Sequence, residues 1–321
     1  MSTRIMEPGE IGQVEPFPNV VLPTDNSLFD NRARRFEHLA QSHAMGPFLA
    51  VMGALAKAQH AALHSQNASP IAESMLEQSR LHGMPPLSYQ TVARNHEWQR
   101  DLTAITTYLI TQPVMPFVEA AHTLAAMDSD TREALADAVL DGGIAGDDPA
   151  RHALLAPLIG AALQVWWTRQ AAALALADIG HVGTSTVCPI CASRPVASVV
   201  EIGAAQSNLR YLHCSLCSTQ WHMVRVTCSS CESTKGIAYH SLTNANEDTA
   251  PSRKTAFARA ESCDACHSYL KIFAREKNPL MDVTADDLAT LALDMLVDEA
   301  GYLRSGPNLL FSPGVVISDA E

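Results

Sequence analysis

Four copies of one short pattern decide the fold of this sequence: a cysteine, two other residues and a second cysteine. They read Cys188-Pro-Ile-Cys191, Cys214-Ser-Leu-Cys217, Cys228-Ser-Ser-Cys231 and Cys263-Asp-Ala-Cys266. These copies contain all eight cysteines of the 321-residue chain, and none lies in the first 187 residues. The chemistry of the protein is therefore expected in the part of the chain between the first and the last of these cysteines.

The spacing of the four pairs predicts two four-cysteine sites. Two such turns that face each other across a hairpin form a tetrahedral set of thiolates. The first pair recurs 40 positions later and the second pair 49 positions later, and the difference falls in a polar loop at 244–253, where an insertion costs little. Sequential pairing gives Cys188, Cys191, Cys214 and Cys217 as the first site, and Cys228, Cys231, Cys263 and Cys266 as the second.

Three roles are possible for these cysteines: disulfide bonding, redox chemistry and metal binding. A disulfide framework is typical of secreted proteins. Residues 1–23 have neither the basic stretch nor the apolar stretch of a signal peptide, so we expect a cytoplasmic protein and no such framework. A thioredoxin-like redox pair needs a βαβ context, whereas strand-like sequence flanks these turns. Metal binding is favoured, and the residue types alone do not separate zinc from a single iron.

The spacing of apolar residues in the N-terminal part of the chain predicts an all-helical domain. Apolar residues recur every three or four positions, with turn residues between the segments. Helices are predicted at about 27–40, 48–63, 89–110, 114–127, 131–140 and 152–179. The last of these is apolar nearly all round and contains Trp166 and Trp167, which predicts a central helix with both tryptophans in the core.

The periodicity becomes strand-like after residue 180. Short β-branched and aromatic runs at 195–202, 209–213, 221–227, 236–242, 257–262 and 269–274 predict hairpins around the cysteine turns. A final helix is predicted from an N-cap at Thr284 to Gly301, followed by a loose tail.

The predicted fold class is α+β. An N-terminal all-helical domain precedes two tandem rubredoxin-like or zinc-ribbon four-cysteine β modules and a C-terminal helix. The predicted boundaries are an extended N-terminal segment at 1–26, the helical domain at 27–180, the two modules at 181–227 and 228–277, and the C-terminal helix and tail at 278–321.

Charge and hydropathy argue against two kinds of partner. The 22 Lys+Arg against 34 Asp+Glu give a net charge of −12, which disfavours a phosphate-binding surface. In the cysteine-containing stretch at 188–275, nine basic and six acidic residues give +3, and two divalent four-thiolate sites lower this to about −1. Nucleic acid is therefore not expected as a partner. The apolar stretch at 153–167 is too short to cross a bilayer, so no stable membrane insertion is expected.

Other chemistry-bearing residues have ordinary explanations. The four histidines near the cysteines are expected to be strand and loop residues, and the acidic run of the last helix is expected to be a solvated face. These residues are His213, His222, His240 and His267, and Asp286, Asp287, Asp294, Asp298 and Glu299. Since the sequence has no Gly-rich phosphate loop, nucleophile elbow or HExxH motif, we expect no enzyme and no catalytic residues.

At this point the motifs resemble a known family, the FdhE family of formate dehydrogenase accessory proteins. The resemblance is carried by Tyr211-Leu-His-Cys-Ser-Leu-Cys217, Trp221-His-Met-Val-Arg-Val-Thr-Cys228-Ser-Ser-Cys231, Glu261-Ser-Cys-Asp-Ala-Cys266, Tyr269-Leu-Lys-Ile-Phe273 and Ala285-Asp-Asp-Leu-Ala289. It extends more loosely to residues 32–49, where Arg35, Phe36, Leu39, Ala40 and His43 are similar to the family. Ala192 departs from the family, which often has glycine there, but the ligands are intact.

The resemblance implies a cytoplasmic maturation factor required for active respiratory formate dehydrogenase. It implies a helical domain with two rubredoxin-like modules and iron held by the four CxxC motifs, which favours iron over zinc. It also implies contact with the catalytic subunit of the molybdenum enzyme before its twin-arginine export, and that basic signal region is a candidate contact for this acidic chain.

Two other functions stay open at this point. Ribbon modules can serve as protein-interaction or nucleic-acid-binding modules, with zinc as the metal. A thiol or iron redox protein is the other alternative, because a single iron held by four thiolates can change its oxidation state.

Overall fold

The computed structural model describes residues 17–24, 26–143, 148–180, 183, 185–202, 208–242 and 256–311. Within them a helical N-terminal part precedes a part rich in β-strands, which confirms the predicted α+β class. None of the helices in these residues combines the length and apolar character needed to cross a bilayer.

Seven helices precede the first cysteine in the described chain, and the last of them is the centre of their packing. They are α1 (Leu28–Ala40), α2 (Gly46–Leu63), α3 (Glu73–His82), α4 (Trp98–Thr111), α5 (Phe117–Ala126), α6 (Ser129–Asp141) and α7 (Pro149–Ala172). Helix α7 is buried on all sides from Leu155 to Ala171 and contacts α2, α4, α5 and α6. Trp166 and Trp167 are 3% and 0% exposed, which confirms the predicted core positions.

The helical part differs from the sequence prediction in three places. The helix predicted at 152–179 ends at Ala172, and only a short 3-10 turn at Leu176–Asp178 follows it. The predicted helix at 89–110 begins only at Trp98, because the backbone N–H groups of Leu87 and Tyr89 donate to carbonyls of the first cysteine turn instead. Helix α3 was not predicted, because it is largely exposed and only Ser79 is buried, so it has little apolar periodicity.

The strands form one sheet, which joins the two cysteine modules. They are β1 (Val20–Val21), β2 (Pro195–Val200), β3 (Arg210–Cys214), β4 (Gln220–His222), β5 (Ile237–His240), β6 (Ala258–Cys263), β7 (Ser268–Ala274) and β8 (Leu303–Arg304). Their order is β1-β4-β3-β2-β7-β6-β5, with β8 on β7. The parallel pairing of β2 with β7, in which Ser198 lies opposite Ile272, connects the first module to the second.

The strand predicted at 221–227 is shorter in the structure. Strand β4 ends at His222, and the chain then turns at Val226, whose φ is 60°. This left-handed conformation leads the backbone out of the sheet and into the turn of Cys228. The β-branched residues in this stretch favour a strand, but the tertiary structure outweighs this local preference.

The predicted C-terminal helix is two helices, α8 (Val283–Leu288) and α9 (Leu291–Glu299). The predicted N-cap at Thr284 is wrong. Asp282 is the N-cap, and its carboxylate accepts hydrogen bonds from the backbone N–H groups of Thr284 and Ala285 at 3.0 and 2.9 Å.

The chain after α9 is not loose over its described residues, which end at 311. Strand β8 pairs with β7, and the backbone then passes over the central helix α7. A Cβ on Gly160 of α7 would lie only 2.1 Å from the carbonyl oxygen of Leu309, so this contact requires a glycine. The prediction of a loose tail is therefore wrong for this part, and residues 312–321 lie outside the described chain.

The acidic run of the last helices is only partly a solvated face. Asp298 and Glu299 are exposed, as predicted, but Asp286 and Asp287 are 1% and 0% exposed. Asp286 accepts hydrogen bonds from Nε and Nη2 of Arg35 in α1, the shortest at 2.6 Å. This buried ion pair connects the C-terminal segment to the helical part of the chain.

We predict that this ion pair contributes strongly to stability. Arg35→Met leaves the Asp286 carboxylate buried without its partner, which costs about 3–5 kcal/mol of unfolding free energy. Chemical denaturation followed by circular dichroism measures this loss. Replacing both residues, as Arg35→Met with Asp286→Leu, should restore a large part of it.

The neighbouring arginine of α1 provides a matched control. Arg34 also pairs with an aspartate, Asp30, but its side chain is 67% exposed. Arg34→Met should leave the unfolding free energy nearly unchanged because solvent screens exposed pairs. Equal destabilisation by Arg34→Met and Arg35→Met would contradict the role assigned to the buried pair.

Candidate metal centres

The structure brings the eight cysteines together in two groups of four. Within each group the sulfur atoms all lie within 4.8 Å of one another. The first group is Cys188, Cys191, Cys214 and Cys217, and the second is Cys228, Cys231, Cys263 and Cys266. These are the groups that sequential pairing predicts.

The sulfur separations fit tetrahedral coordination of one ion. Four sulfurs at about 2.3 Å from a central ion lie about 3.8 Å apart. The Sγ atoms of Cys228 and Cys266 are 3.7 Å apart, as are those of Cys231 and Cys263. The corresponding pairs of the first group are 3.5 and 3.3 Å apart. All of these exceed the roughly 2.05 Å of a disulfide, so both donor sets fit a thiolate-bound metal.

The turns that carry the cysteines share one backbone conformation. The residue after the second cysteine of each pair has a positive φ between 53° and 62°. Ala192, Ser218, Glu232 and His267 occupy these positions. The chain therefore adopts this left-handed turn at all four positions without glycine, at some cost in backbone strain.

Backbone N–H groups point at sulfur atoms within these turns. Ile190 N lies 3.4 Å from Cys188 Sγ, and Leu216 N and Cys217 N each lie 3.3 Å from Cys214 Sγ. Ser230 N lies 3.3 Å from Cys228 Sγ in the second group. Hydrogen bonds to ligand sulfurs stabilise the thiolate form and tune a bound metal.

The first group lies inside the main hydrophobic core. Its cysteines are between 0% and 5% exposed, and they share one core cluster with the residues of the helical part. Gln164 of α7 donates from Nε2 to the carbonyl of Ser215 at 2.7 Å, and Tyr89 N donates to the carbonyl of Cys191 at 2.9 Å. The helices therefore pack directly on the cysteine turns.

The second group lies at the surface. Cys228 and Cys263 are 4% and 1% exposed, but Cys231 and Cys266 are exposed. Tyr302, which lies beside this group, donates a hydrogen bond to Asp264 at 2.7 Å. The two groups have the same ligand type but very different access to solvent.

The thiol pKa values shift in both directions within each group, because the four sulfurs of a group influence one another. Burial acts to raise the pKa of Cys217, but hydrogen bonds with the other three sulfurs lower it well below the usual value, whereas the pKa of Cys231 rises to about 12. Burial raises the pKa of Cys188 and of Cys191 well above the usual value. Burial also acts to raise the pKa of Cys266, but the Ser268 hydroxyl and the Cys231 sulfur act in the other direction, and this pKa falls to about 7. Four closely spaced thiolates repel one another, so a cation is needed to hold them all in the ionised form.

The nearby histidines lie outside both groups of ligands. His213 Nε2 lies 3.7 Å from Glu201, and His240 Nε2 lies 2.8 Å from the Ser262 hydroxyl. His222 contacts the ring of Tyr211, and His267 contacts that of Tyr302. None of these four histidines belongs to either group of sulfurs in the described chain, and His213 Nε2 forms no hydrogen bond there.

Sequence reasoning missed the residues that support the first group from the helical part. Gln164 of α7 donates to the carbonyl of Ser215, and Thr168 Oγ1 of the same helix lies 3.4 Å from Ser218 Oγ. Polar residues on an otherwise apolar, buried helix were the available signal, because a buried polar side chain requires a partner.

Comparison with known proteins identifies the family. Three family models match successive parts of the chain: FdhE, N-terminal, at residues 17–183, FdhE, central domain, at 187–225, and FdhE, C-terminal domain, at 226–311.

Curated relatives match almost the whole chain. A "Protein FdhE homolog" of Pseudomonas aeruginosa is 38% identical over 98% of this chain and 99% of its own length. "Protein FdhE" of Escherichia coli K12 is 34% identical over 98% of this chain and 99% of its own.

A solved structure matches the fold. The crystal structure of the FdhE protein from Pseudomonas aeruginosa superposes with a TM-score of 0.82 at 38% sequence identity, over 92% of this chain and 100% of that one. The matches cover the helical part and both cysteine groups. The chain therefore belongs to the FdhE family.

Proposed function

We propose that this protein is a cytoplasmic accessory factor in the maturation of formate dehydrogenase and that each cysteine group holds one metal ion. The observation that carries the proposal is a pair of all-cysteine groups with tetrahedral spacing in a chain of the FdhE family. Iron is the metal we favour, and zinc is the alternative, because four thiolates suit either ion.

The metal decides what the groups contribute. Iron held by four thiolates can change its oxidation state, whereas zinc has no redox chemistry and stabilises structure. In either case this chain's own residues orient the sulfurs through N–H bonds, and the core excludes water from the first group. We therefore assign a structural role to the first group. Any exchange of metal ions with the surroundings is assigned to the second group.

We propose a role that is not enzymatic. The sequence contains no Gly-rich phosphate loop, nucleophile elbow or HExxH motif, whereas its four CxxC metal-ligand motifs are complete. The partner we propose is the catalytic subunit of formate dehydrogenase, with its basic twin-arginine signal region as a contact. The net charge of −12 supports this choice, since opposite charges accelerate association.

We predict that a chelator removes the two metals at different rates. The second group should lose its metal at least about tenfold faster, because Cys231 and Cys266 are exposed while release from the first group requires opening of the core. Stopped-flow absorbance with excess chelator, together with elemental analysis, measures both phases.

Cysteine variants assign the two phases. Cys263→Ser should abolish the fast phase and leave the slow phase and the helical circular dichroism signal intact. Cys188→Ser should abolish the slow phase and lower the melting temperature of the whole chain. A single phase, or loss of the slow phase in Cys263→Ser, would contradict the assigned difference between the groups.

We predict saturable binding of the purified catalytic subunit that weakens with salt. Biolayer interferometry at about 50 mM and about 500 mM salt should show the weaker affinity at the higher concentration, because salt screens the opposing charges. Removal of the twin-arginine region from the subunit should weaken binding in the same way. Absence of binding would overturn the proposed partner.

Charge variants test the steering separately from the partner. Asp298→Asn with Glu299→Gln neutralises two exposed carboxylates of α9, and Glu77→Gln in α3 is an exposed control outside the C-terminal segment. The double variant should slow association more than the control does. Binding that is insensitive to salt and to the double variant would refute the steering while leaving the partner in place.

A further inference from the structure

The first cysteine group is buried, so a metal ion needs a path to reach it. Cys188, Cys191 and Cys217 are 0% exposed, whereas Cys214 is 5% exposed. Solvent therefore comes closest to this group at Cys214. Because a metal site in a folded protein needs an entry path, we expect that path at Cys214.

A cavity of about 340 Å³ lies against this cysteine. Three segments that are distant in the sequence line it: residues 21–24, residues 280–284 and the cysteine turn that carries Cys214 and Ser218. Leu280, one of the lining residues, is 83% exposed, so the cavity opens to solvent. A volume of this size has room for a metal ion with several water molecules.

The segment at 17–24, which we call the strap, forms one wall of this cavity. Its strand β1 lies at the edge of the described sheet and pairs with β4. Val20 and Leu22 of the strap are 7% and 8% exposed, and they belong to the same hydrophobic cluster as the four cysteines. Side chains of the strap therefore cover the core beside the first group.

Short contacts hold the strap on the sheet. The hydroxyl of Tyr211 donates to the carbonyl of Pro18 at 2.7 Å, and the backbone N–H of His222 donates to the carbonyl of Asn19 at 2.9 Å. The ring of Phe17 lies 4.6 Å from that of His222, and β1 itself has two residues. An edge segment of this kind opens locally at a lower free energy than a packed core does.

We propose that metal enters and leaves the first cysteine group through this cavity and that local opening of the strap sets the rate. The inference rests on the proposed function, since it requires a metal in the first group. When the strap leaves the edge of the sheet, Val20 and Leu22 uncover the cluster at Cys214 while the helices stay packed. The second group needs no such opening, because Cys231 and Cys266 are exposed.

The slow phase of metal release to a chelator tests this path in the full-length, metal-loaded protein. Leu22→Ala removes a buried side chain of the strap and should accelerate the slow phase at least about tenfold. Tyr211→Phe removes the hydrogen bond to Pro18 and should accelerate that phase about twofold to tenfold. Neither variant should change the fast phase or the number of metal ions bound.

Two matched variants separate opening of the strap from general destabilisation. Leu109→Ala shortens a fully buried side chain of α4 that does not line the cavity. This variant should lower the melting temperature but leave the slow phase nearly unchanged. Tyr239→Phe removes a tyrosine hydrogen bond to Glu261 in the second module and should also leave the slow phase unchanged.

The outcomes distinguish the path from the proposed function. Equal acceleration by Leu22→Ala and Leu109→Ala would mean release through general unfolding and would overturn the path. A slow phase that Tyr211→Phe leaves unchanged would overturn it as well, and this small substitution gives the test even if Leu22→Ala does not fold. In both cases the bound metal leaves the proposed function in place, whereas wild-type protein that binds no metal overturns both.

Discussion

The burial of four cysteine thiols in the same core as the helices is the constraint on which this structure depends. Cys188, Cys191, Cys214 and Cys217 belong to the hydrophobic cluster that also contains the central helix α7 (Pro149–Ala172). Four thiolates in a dry core require a cation, because without one their charges repel and their desolvation is not compensated. Folding of the helical part and occupation of this site are therefore expected to be coupled.

A second set of buried charges fixes the C-terminal segment. Lys271 on β7 (Ser268–Ala274) is 0% exposed and donates to the backbone carbonyl of Asp287 at 2.8 Å. The Asp287 carboxylate also accepts from Arg304 and from Asn308, at 2.8 Å each. Together with the Arg35–Asp286 pair, this network connects the sheet, the C-terminal helices and the helical part.

Much of the fold and of the candidate site could be predicted because its signals are local. Cysteine spacing, helical periodicity and the apolar character of α7 are properties of short stretches, and they predicted the α+β class and the two cysteine groups. What could not be predicted depends on distant partners. The sequence around Asp286 is typical of a solvated residue, and only the fold places Arg35 beside it. The sequence at Tyr89 has helical periodicity, but the Tyr89 N–H donates to the carbonyl of Cys191 and the helix does not form there. Nor does any local pattern show that β2 and β7 pair in parallel into one sheet.

We propose that both cysteine groups hold a metal in an all-sulfur shell. Elemental analysis with X-ray absorption at the metal edge of the anaerobically purified, full-length protein tests it most directly. We expect two metal ions per chain, each with four sulfur neighbours at about 2.3 Å. A protein that takes up no iron or zinc under reducing conditions, or a shell dominated by nitrogen and oxygen, would contradict it.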